Sequence, residues 1–476
     1  MSSRSSQLVD HSLVQQEGAD TGPNGGTSRF GMLETVREFA LERLLETGEQ
    51  PLAQAAHAAY FTAFAEELYP YRIGPSDSID DRLGRLEAEH ANLRAALGTM
   101  ADTDVEGVLQ LAGALVVFWY LRGHLREGQQ WLEWALAYTI EPSTGLRSRA
   151  LTGLGYMVWS QGHHEQAAVL AHTGLTIAEQ IGDNDLAARA LHMLGLVGEF
   201  QCQWDQAGPY MERALGLWRE LDLTPEVAMV LMGLSIVAYG LGDATLSALR
   251  AEESLALTRA LGHAFGTAIA LNGLGRLARD RGDDDGAAAS FQEALHLWAS
   301  IGDRETIVQP LAGLAELASV YGQPETAATL AGAVDALTQE AGAFILERCI
   351  RFAGNNRDRA VERAGATLGE ERCANLRAAG RALPLEEAVH LAAGVTTGAR
   401  PASLVSSPTA GLLTAREREV LRLVVIGQTD REIAGDLYVS LRTVNTHVAH
   451  ILAKLNVSTR RAAAAWAREH RVDLHG

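Results

Sequence analysis

Lysine is almost missing from this chain of 476 residues: Lys454 is the only one, and every other residue counted as Lys+Arg is arginine. Because Ala453 precedes that lysine, the phosphate-binding motif GxxxxGK(S/T) cannot occur, and we expect neither ATP binding nor any other cofactor. Cysteine is also scarce, with 3 residues and no CxxC pair. This spacing indicates neither a disulfide framework nor a zinc ribbon.

Long apolar runs are missing as well. No stretch reaches about eighteen consecutive apolar residues, the length that a membrane span needs, and residues 1–26 lack the apolar run of a signal peptide. No G-x-S-x-G elbow follows a predicted strand, so a hydrolase of that type is not indicated. We therefore predict a cytoplasmic protein that spans no membrane and is not an enzyme.

Positive charge is also limited, and it is unevenly distributed. The chain has 40 Lys+Arg against 59 Asp+Glu, a formal net charge of −19. Residues 411–476 hold ten basic and seven acidic side chains, a net of +3, so the preceding residues carry −22. Only the C-terminal segment therefore has the sign that suits a polyanion such as nucleic acid.

That C-terminal segment contains closely spaced helix signals. Thr414–Glu417 and Thr429–Glu432 both have the capping-box pattern, and Gly427 lies where the first of these helices would end. Ser440 is placed to cap a third helix, which leaves only Tyr438 and Val439 for the turn before it. Two short helices joined by so tight a turn are typical of a helix-turn-helix motif.

The third helix has two distinct faces. Val444, Val448, Ile451 and Leu455 recur at helical spacing and should face the protein interior. The opposite face carries short polar or small side chains that would let the backbone enter a major groove: Arg442, Asn445, Thr446, Ala449, His450 and Ala453. His447 and His450 could be a metal pair, but no third ligand is evident, so we expect packing or phosphate-facing roles and no metal site.

Residues 413–463 resemble the LuxR-type helix-turn-helix of bacterial transcription regulators, including the core pattern TVxxHVxxILxKLxV. The resemblance implies that double-stranded DNA is the partner and that a fourth helix, capped by Ser458, pairs two copies into a homodimer. RNA polymerase is a further candidate partner. The residues implied at the DNA interface are Ser440, Arg442, Thr443, Asn445, Thr446, His447, Ala449, His450, Lys454 and Arg460.

In this resemblance the residues matching Asn445, Thr446 and Ala449 face the bases, whereas those matching Ser440, Thr443, Lys454 and Arg460 meet phosphates. Many members of the family have basic residues where Asn445 and Ala449 stand. We therefore expect weaker phosphate attraction here, and no particular base is assigned to Asn445.

The middle of the chain repeats with a period of forty residues. One set of leucines recurs at Leu151, Leu191, Leu231, Leu271 and Leu311, and a second set follows three residues later. Glycines such as Gly162 and Gly242 mark turns between two helices, and the segment from Leu111 to Leu136 is one further unit. The period predicts helix pairs that stack into a solenoid.

This pattern resembles lengthened tetratricopeptide repeats. The resemblance implies a concave face that binds a protein, a peptide or a small molecule. The alternative is a spacer in which the tryptophans are only core residues, and that alternative is favoured for each of Trp159, Trp204, Trp218 and Trp298 taken singly.

The N-terminal region resembles the junction between a winged helix and the helical repeats of large signal-transducing ATPase regulators. The segments that carry this resemblance are Leu8–Val14, Arg29–Glu49 and Asp81–Leu97. By this comparison the ATPase domain is absent, either through truncation or because another chain supplies it.

The predicted fold class is all-α: a tetratricopeptide-like solenoid with a four-helix LuxR-type domain and a possible winged-helix remnant. The expected divisions are a remnant and connecting helix (1–45), a helical adaptor (46–105), repeats (106–343), terminal helices (344–395), a flexible linker (396–410) and the DNA-binding domain (411–476). We expect the last domain to be tethered rather than packed rigidly. The function predicted is sequence-specific transcription regulation with a sensing solenoid. The alternative is a protein-binding scaffold in which DNA contact is secondary.

Overall fold

The computed structural model describes residues 13–19, 28–69, 79–139, 144–304, 306–340, 346–398, 413–455, 457 and 459–469. Within these ranges the chain forms 23 helices and one small two-stranded sheet. The all-α fold class is therefore confirmed. Much of the predicted linker, residues 399–410, lies outside the described residues, as does Ser458.

Strands β1 (Gln15–Ala19) and β2 (Ser28–Gly31) form the antiparallel sheet. They are followed by α1 (Glu34–Thr47) and α2 (Gln50–Glu67), which Gly48 separates in a left-handed conformation with φ +71°. Helix α1 buries none of its residues, and Phe39 is 56% exposed. The connecting helix expected in this region is present, and its apolar side chains are largely exposed.

Two short helices, α3 (Ile79–Ala88) and α4 (His90–Ala101), lead into the repeats. Their apolar residues join the same core as the first repeat units, and Leu86, Leu93 and Leu97 are fully buried there.

Six antiparallel helix pairs form the solenoid. The pairs are α5 (Val105–Arg122) with α6 (Leu125–Tyr138), α7 (Gly145–Trp159) with α8 (His164–Ile181), α9 (Asn184–Phe200) with α10 (Trp204–Glu220), α11 (Thr224–Gly240) with α12 (Ala244–Ala260), α13 (Ala264–Arg281) with α14 (Asp284–Ile301), and α15 (Val308–Val320) with α16 (Pro324–Glu340). The tetratricopeptide-like repeat predicted from the forty-residue period is thus confirmed.

Small residues allow adjacent helices to approach closely. A Cβ added at Gly275 in α13 would lie 2.6 Å from the Phe291 ring of α14, and one added at Gly313 in α15 would also lie 2.6 Å from it. The ring of Phe291 is fully buried between these two glycines. The recurring small residues therefore serve helix packing, as their periodicity indicates.

Helix α5 is the one helix among the described residues that is long and apolar enough to cross a membrane, and 67% of it is buried within the fold. Its Phe118 and Trp119 are fully buried in the solenoid core.

After the repeats come α17 (Leu346–Leu368), α18 (Glu370–Arg381) and α19 (Leu385–Ala393). Asp335 of α16 holds this region with ion pairs to Arg377 at 2.6 Å, Arg381 at 3.0 Å and Arg357 at 3.1 Å.

The C-terminal domain follows, with α20 (Ala415–Val425), α21 (Asp430–Leu437), α22 (Leu441–Lys454) and α23 (Arg460–Glu469). It has a separate apolar core that includes Val420, Ile433, Val444 and Ala467.

Candidate nucleic-acid interface

Both capping boxes predicted in the C-terminal domain are present. The Thr414 amide donates to a Glu417 carboxylate oxygen at 2.7 Å, and the Glu417 amide donates to the Thr414 hydroxyl at 3.2 Å. Thr429 and Glu432 make the same reciprocal pair at 2.6 and 3.3 Å. Gly427, with φ +93°, follows the end of α20 as expected. These bonds fix where α20 and α21 begin.

The turn between α21 and α22 is as short as the sequence indicates. Tyr438 adopts a left-handed conformation with φ +54°, Val439 is buried, and the Ser440 hydroxyl caps α22 by accepting the Thr443 amide at 3.0 Å. The three elements α21, turn and α22 form a helix-turn-helix. At the fourth helix, the Thr459 hydroxyl accepts the Ala462 amide at 3.1 Å.

Helix α22 presents the predicted outer face. Val444 and Ile451 are buried against the domain core, whereas Arg442, Asn445, Thr446, Ala449 and His450 are exposed. The Thr446 hydroxyl donates to the Arg442 carbonyl at 2.9 Å. His447 is half-buried, and burial together with Arg416 lowers its pKa, so the ring is held neutral. A face of small and short polar side chains on a helix fits the major groove of B-form DNA.

Two cations that the resemblance assigns to phosphates have partners within the domain. The Lys454 ammonium lies 2.6 Å from a Glu417 carboxylate oxygen. Arg460 pairs with Asp430 and also donates to the Gln428 carbonyl. Contact with a DNA backbone therefore requires these groups to share or exchange their present acceptors.

The N-terminus of α22 lies against the solenoid. The Ser440 amide and the Thr443 hydroxyl both donate to the carbonyl oxygen of Gly240, at 3.1 and 3.0 Å. Thr443 is only 3% exposed. The expectation of a C-terminal domain tethered without packing was wrong in this respect, because the first turn of α22 binds a backbone carbonyl of the repeat body.

A buried polar network extends the same contact. Arg416 pairs with Glu419 at 2.7 Å within α20, and Glu419 reaches Arg359 of α17 at 3.5 Å. On the solenoid side of the boundary, the Tyr239 hydroxyl of α11 donates to Asp280 of α13 at 2.8 Å. Burial raises the pKa of Asp280, and Arg416 opposes that rise. Burial would lower the pKa of Arg416, but Tyr239, Glu419 and Asp280 together raise it, so its charge is retained.

The first helices of the repeat units line a cavity of about 360 Å³. Arg416, Glu419 and Tyr438 of the C-terminal domain line the same cavity. The interior of the cavity is thus shared between the repeats and the DNA-binding unit. Sequence reasoning missed this arrangement, because no periodic pattern marks where two domains meet.

Polar groups inside the solenoid face this cavity. Arg189 pairs with Glu226 at 2.7 Å, and the Tyr156 hydroxyl bonds to Nδ1 of His192 at 2.9 Å. Burial, helped by Arg189, lowers the pKa of His192 to about 4, which keeps the ring neutral.

The four tryptophans singled out as core residues divide between two environments. Trp298 is fully buried in the apolar core, as expected for a packing residue. Trp204 and Trp218, each 2% exposed, and half-buried Trp159 also line the cavity. A packing role for these three is therefore compatible with a role in the cavity wall.

The potential metal ligands lie elsewhere. Among the described residues, one group of three can bring ligand atoms within 4.8 Å of one another: Glu87, His90 and His124. Each histidine already bonds a carboxylate, His124 to Glu87 at 3.2 Å and His90 to Glu127 at 3.1 Å. The pair His447 and His450 is not part of that group.

Comparison with known proteins agrees with the geometry of the C-terminal domain. Residues 411–467 match the family model of bacterial regulatory proteins of the luxR family. Over 62 residues the chain is 47% identical to the transcriptional regulatory protein LiaR of Bacillus subtilis, a match that covers 13% of this chain and 29% of that protein.

A second match is longer. The chain is 32% identical over 256 residues to a protein of Mycobacterium tuberculosis named as an HTH-type transcriptional regulator, covering 52% of this chain. The match spans 28% of that relative's length.

A solved structure resembles the fold of the larger part of the chain. It is a signal-transduction ATPase with numerous domains and a tetratricopeptide repeat sensor from Pyrococcus horikoshii, at 15% identity and a TM-score of 0.50, covering 82% of this chain and 59% of that one. The chain therefore carries a LuxR-family helix-turn-helix domain at residues 411–467, joined to a body of tetratricopeptide-like helical repeats.

Proposed function

We propose that this protein is a sequence-specific transcription regulator whose helical repeats sense a ligand or a protein partner. The observation that carries the proposal is the exposed face of α22, formed by Arg442, Asn445, Thr446, Ala449 and His450. In a helix-turn-helix the second helix lies in the major groove, where such side chains contact base edges. Asn445 can bond bidentately to adenine.

Binding as a homodimer on double-stranded DNA is part of the proposal. Helix α23 packs on the domain through Ala463 and Ala467, which are buried, and leaves Arg461 and Ala465 exposed. A symmetric contact through that exposed face would place two copies of α22 on neighbouring half-sites.

The sensing role rests on the cavity. A volume of about 360 Å³ lies within the range of small-molecule pockets, and its wall combines aromatic rings with a few buried charges such as Arg189 and Glu226. Because residues of the C-terminal domain also line this space, occupation of the cavity could be transmitted to that domain.

The test is a selection of bound sequences from randomised DNA duplexes, made with the full chain and with the Asn445→Ala variant. We expect the full chain to enrich one sequence with two related half-sites. The variant should lose preference at one position in each half-site, at a cost in discrimination of about 1–3 kcal/mol. If the variant enriches an identical sequence, Asn445 does not contact a base. If neither protein enriches any sequence at any concentration, the protein-binding scaffold is favoured instead.

A further inference from the structure

Two polar groups at the start of α22 donate hydrogen bonds to the repeat body. The Ser440 amide and the Thr443 hydroxyl share one acceptor, the Gly240 carbonyl, at 3.1 and 3.0 Å. A helix-turn-helix uses the N-terminal part of its second helix at the DNA surface, and backbone amides and hydroxyls there meet phosphate oxygens. A phosphate oxygen and the Gly240 carbonyl cannot occupy this position together.

We propose that the solenoid holds the C-terminal domain in a closed state that cannot bind DNA, and that the turn between α11 and α12 is the element that closes it. This inference rests on the proposed function, and it names the surface of the chain that regulates DNA binding. The surface is the segment from Gly240 to Asp243, and its partner is the N-terminus of α22 in the same chain.

The closing turn fits α22 closely. Gly242 has φ +85°, and a Cβ added there would lie 2.9 Å from Cγ2 of Thr443. Thr443 is almost completely buried, with 3% of its surface exposed. A DNA duplex that reached the Thr443 hydroxyl would overlap the turn.

The charge distribution of the chain favours the closed state. The body carries a net charge of −22 and residues 411–476 carry +3, so the body attracts the domain and repels DNA at the same surface. Screening by salt would weaken both effects.

The contact is polar enough to be reversible. Beside the closing turn, Arg416 and Glu419 of α20 face Tyr239, Asp280 and Arg359 of the body. Each of these groups can be hydrated once the C-terminal domain separates from the body. Separation of an apolar interface would instead expose apolar surface to water, which is unfavourable. Contacts of this composition are typical of domains that separate.

The test uses two glycines at the same position of neighbouring repeat units. Gly242 and Gly282 both lie in left-handed turns, with φ +85° and +79°, but an added Cβ at Gly282 meets nothing within 4 Å. Asparagine tolerates the left-handed conformation better than most residues. Gly242→Asn therefore places a side chain against Thr443, whereas Gly282→Asn makes an equal backbone change without that collision.

Two measurements are made on the full chain and both variants. The first is affinity for the duplex selected above, or for mixed-sequence duplex if none is selected. The second is hydrogen exchange of the amides at Ser440 to Thr446 without DNA. We expect Gly242→Asn to bind about tenfold more tightly, since apparent affinity scales with the competent fraction. Exchange at Ser440 should be faster in that variant, and Gly282→Asn should match the unmodified chain in both measurements.

The outcomes separate this inference from the proposed function. Equal affinity and equal exchange in the two variants would overturn the closed state. Faster exchange at Ser440 in Gly242→Asn supports the closing contact even without DNA. Faster exchange at Ser440 in Gly242→Asn, with no binding of that variant to DNA, would contradict the proposed function and leave the contact established.

Discussion

Lys454 has two potential acceptors, a carboxylate in its own domain and a phosphate of bound DNA. Its ammonium lies 2.6 Å from Glu417, which is 3% exposed. Burial alone would raise the pKa of Glu417, but the bonds from Lys454 and Thr414 lower it, so the carboxylate stays charged. The ion pair therefore withholds part of the positive charge that DNA would meet.

Replacing Glu417 with glutamine should tighten binding to all duplexes. Glutamine preserves the capping box, so α20 should keep its start, while Lys454 loses its anionic partner. We expect a several-fold gain in affinity without a change in the preferred sequence. The slope of log affinity against log salt concentration should steepen by up to about 0.9, the value for one additional phosphate contact.

A double-mutant cycle isolates this effect. In a Lys454→Ala background, Glu417→Gln should change neither affinity nor salt slope, because the cation it releases is gone. An equal gain in both backgrounds would show that the gain comes from the lost negative charge of Glu417 alone.

At the scale of one helix pair, the packing of α13 on α14 depends on Gly275. A methyl group there would lie 2.6 Å from the Phe291 ring, which cannot withdraw because Gly313 lies against its other edge. Gly275→Ala should therefore lower the free energy of unfolding by about 1–3 kcal/mol through overpacking. Urea denaturation monitored by circular dichroism measures the change in the free energy of unfolding.

Gly273 on the same helix is the matched control. Nothing lies within 4 Å of a Cβ added there, so Gly273→Ala should be neutral or stabilise the helix by up to about 1 kcal/mol. Equal destabilisation by both substitutions would indicate that helix α13 tolerates no alanine for a reason unrelated to Phe291.

The helices of this chain were predictable because each depends on local signals. Capping boxes at Thr414 and Thr429 placed α20 and α21, and the forty-residue period placed the repeat units. The period also explains two turns in which a residue other than glycine adopts the left-handed conformation. Cys202 and Asp222 have φ +57° and +55°, and each stands where the neighbouring units have a turn glycine. Composition alone would not have placed left-handed residues there, whereas the repeat register does.

The relation between the two domains was not predictable in the same way. The bond from Thr443 joins a side chain to a backbone carbonyl 203 residues away, and any residue can supply a carbonyl. Arg416 and Asp280 look like ordinary surface charges in the sequence, and only the folded chain brings them together in a buried network. The outer face of α22 was predictable, but the occupation of its N-terminus was not.

At the scale of the whole molecule, the closed state makes DNA affinity depend on two opposing charge effects. Salt weakens the phosphate contacts of any DNA-binding domain, because the release of counterions into a more concentrated salt solution gains less free energy. Salt also weakens attraction between the body, at −22, and the C-terminal segment, at +3. In the unmodified chain, added salt should therefore raise the fraction of open molecules while it lowers the affinity of each open molecule.

The salt dependence of DNA binding should consequently differ between the unmodified chain and Gly242→Asn. In the variant the domain is already open. Its affinity for DNA should therefore fall with rising salt at the full slope set by its phosphate contacts. In the unmodified chain salt-driven opening offsets part of the fall, and the two lines should converge as salt rises. Titrations of one duplex at several salt concentrations measure both slopes, with Gly282→Asn expected to follow the unmodified chain. Parallel lines would show that the closed state is held by the short-range contacts at Gly240 and Arg416 and not by the net charge of the body.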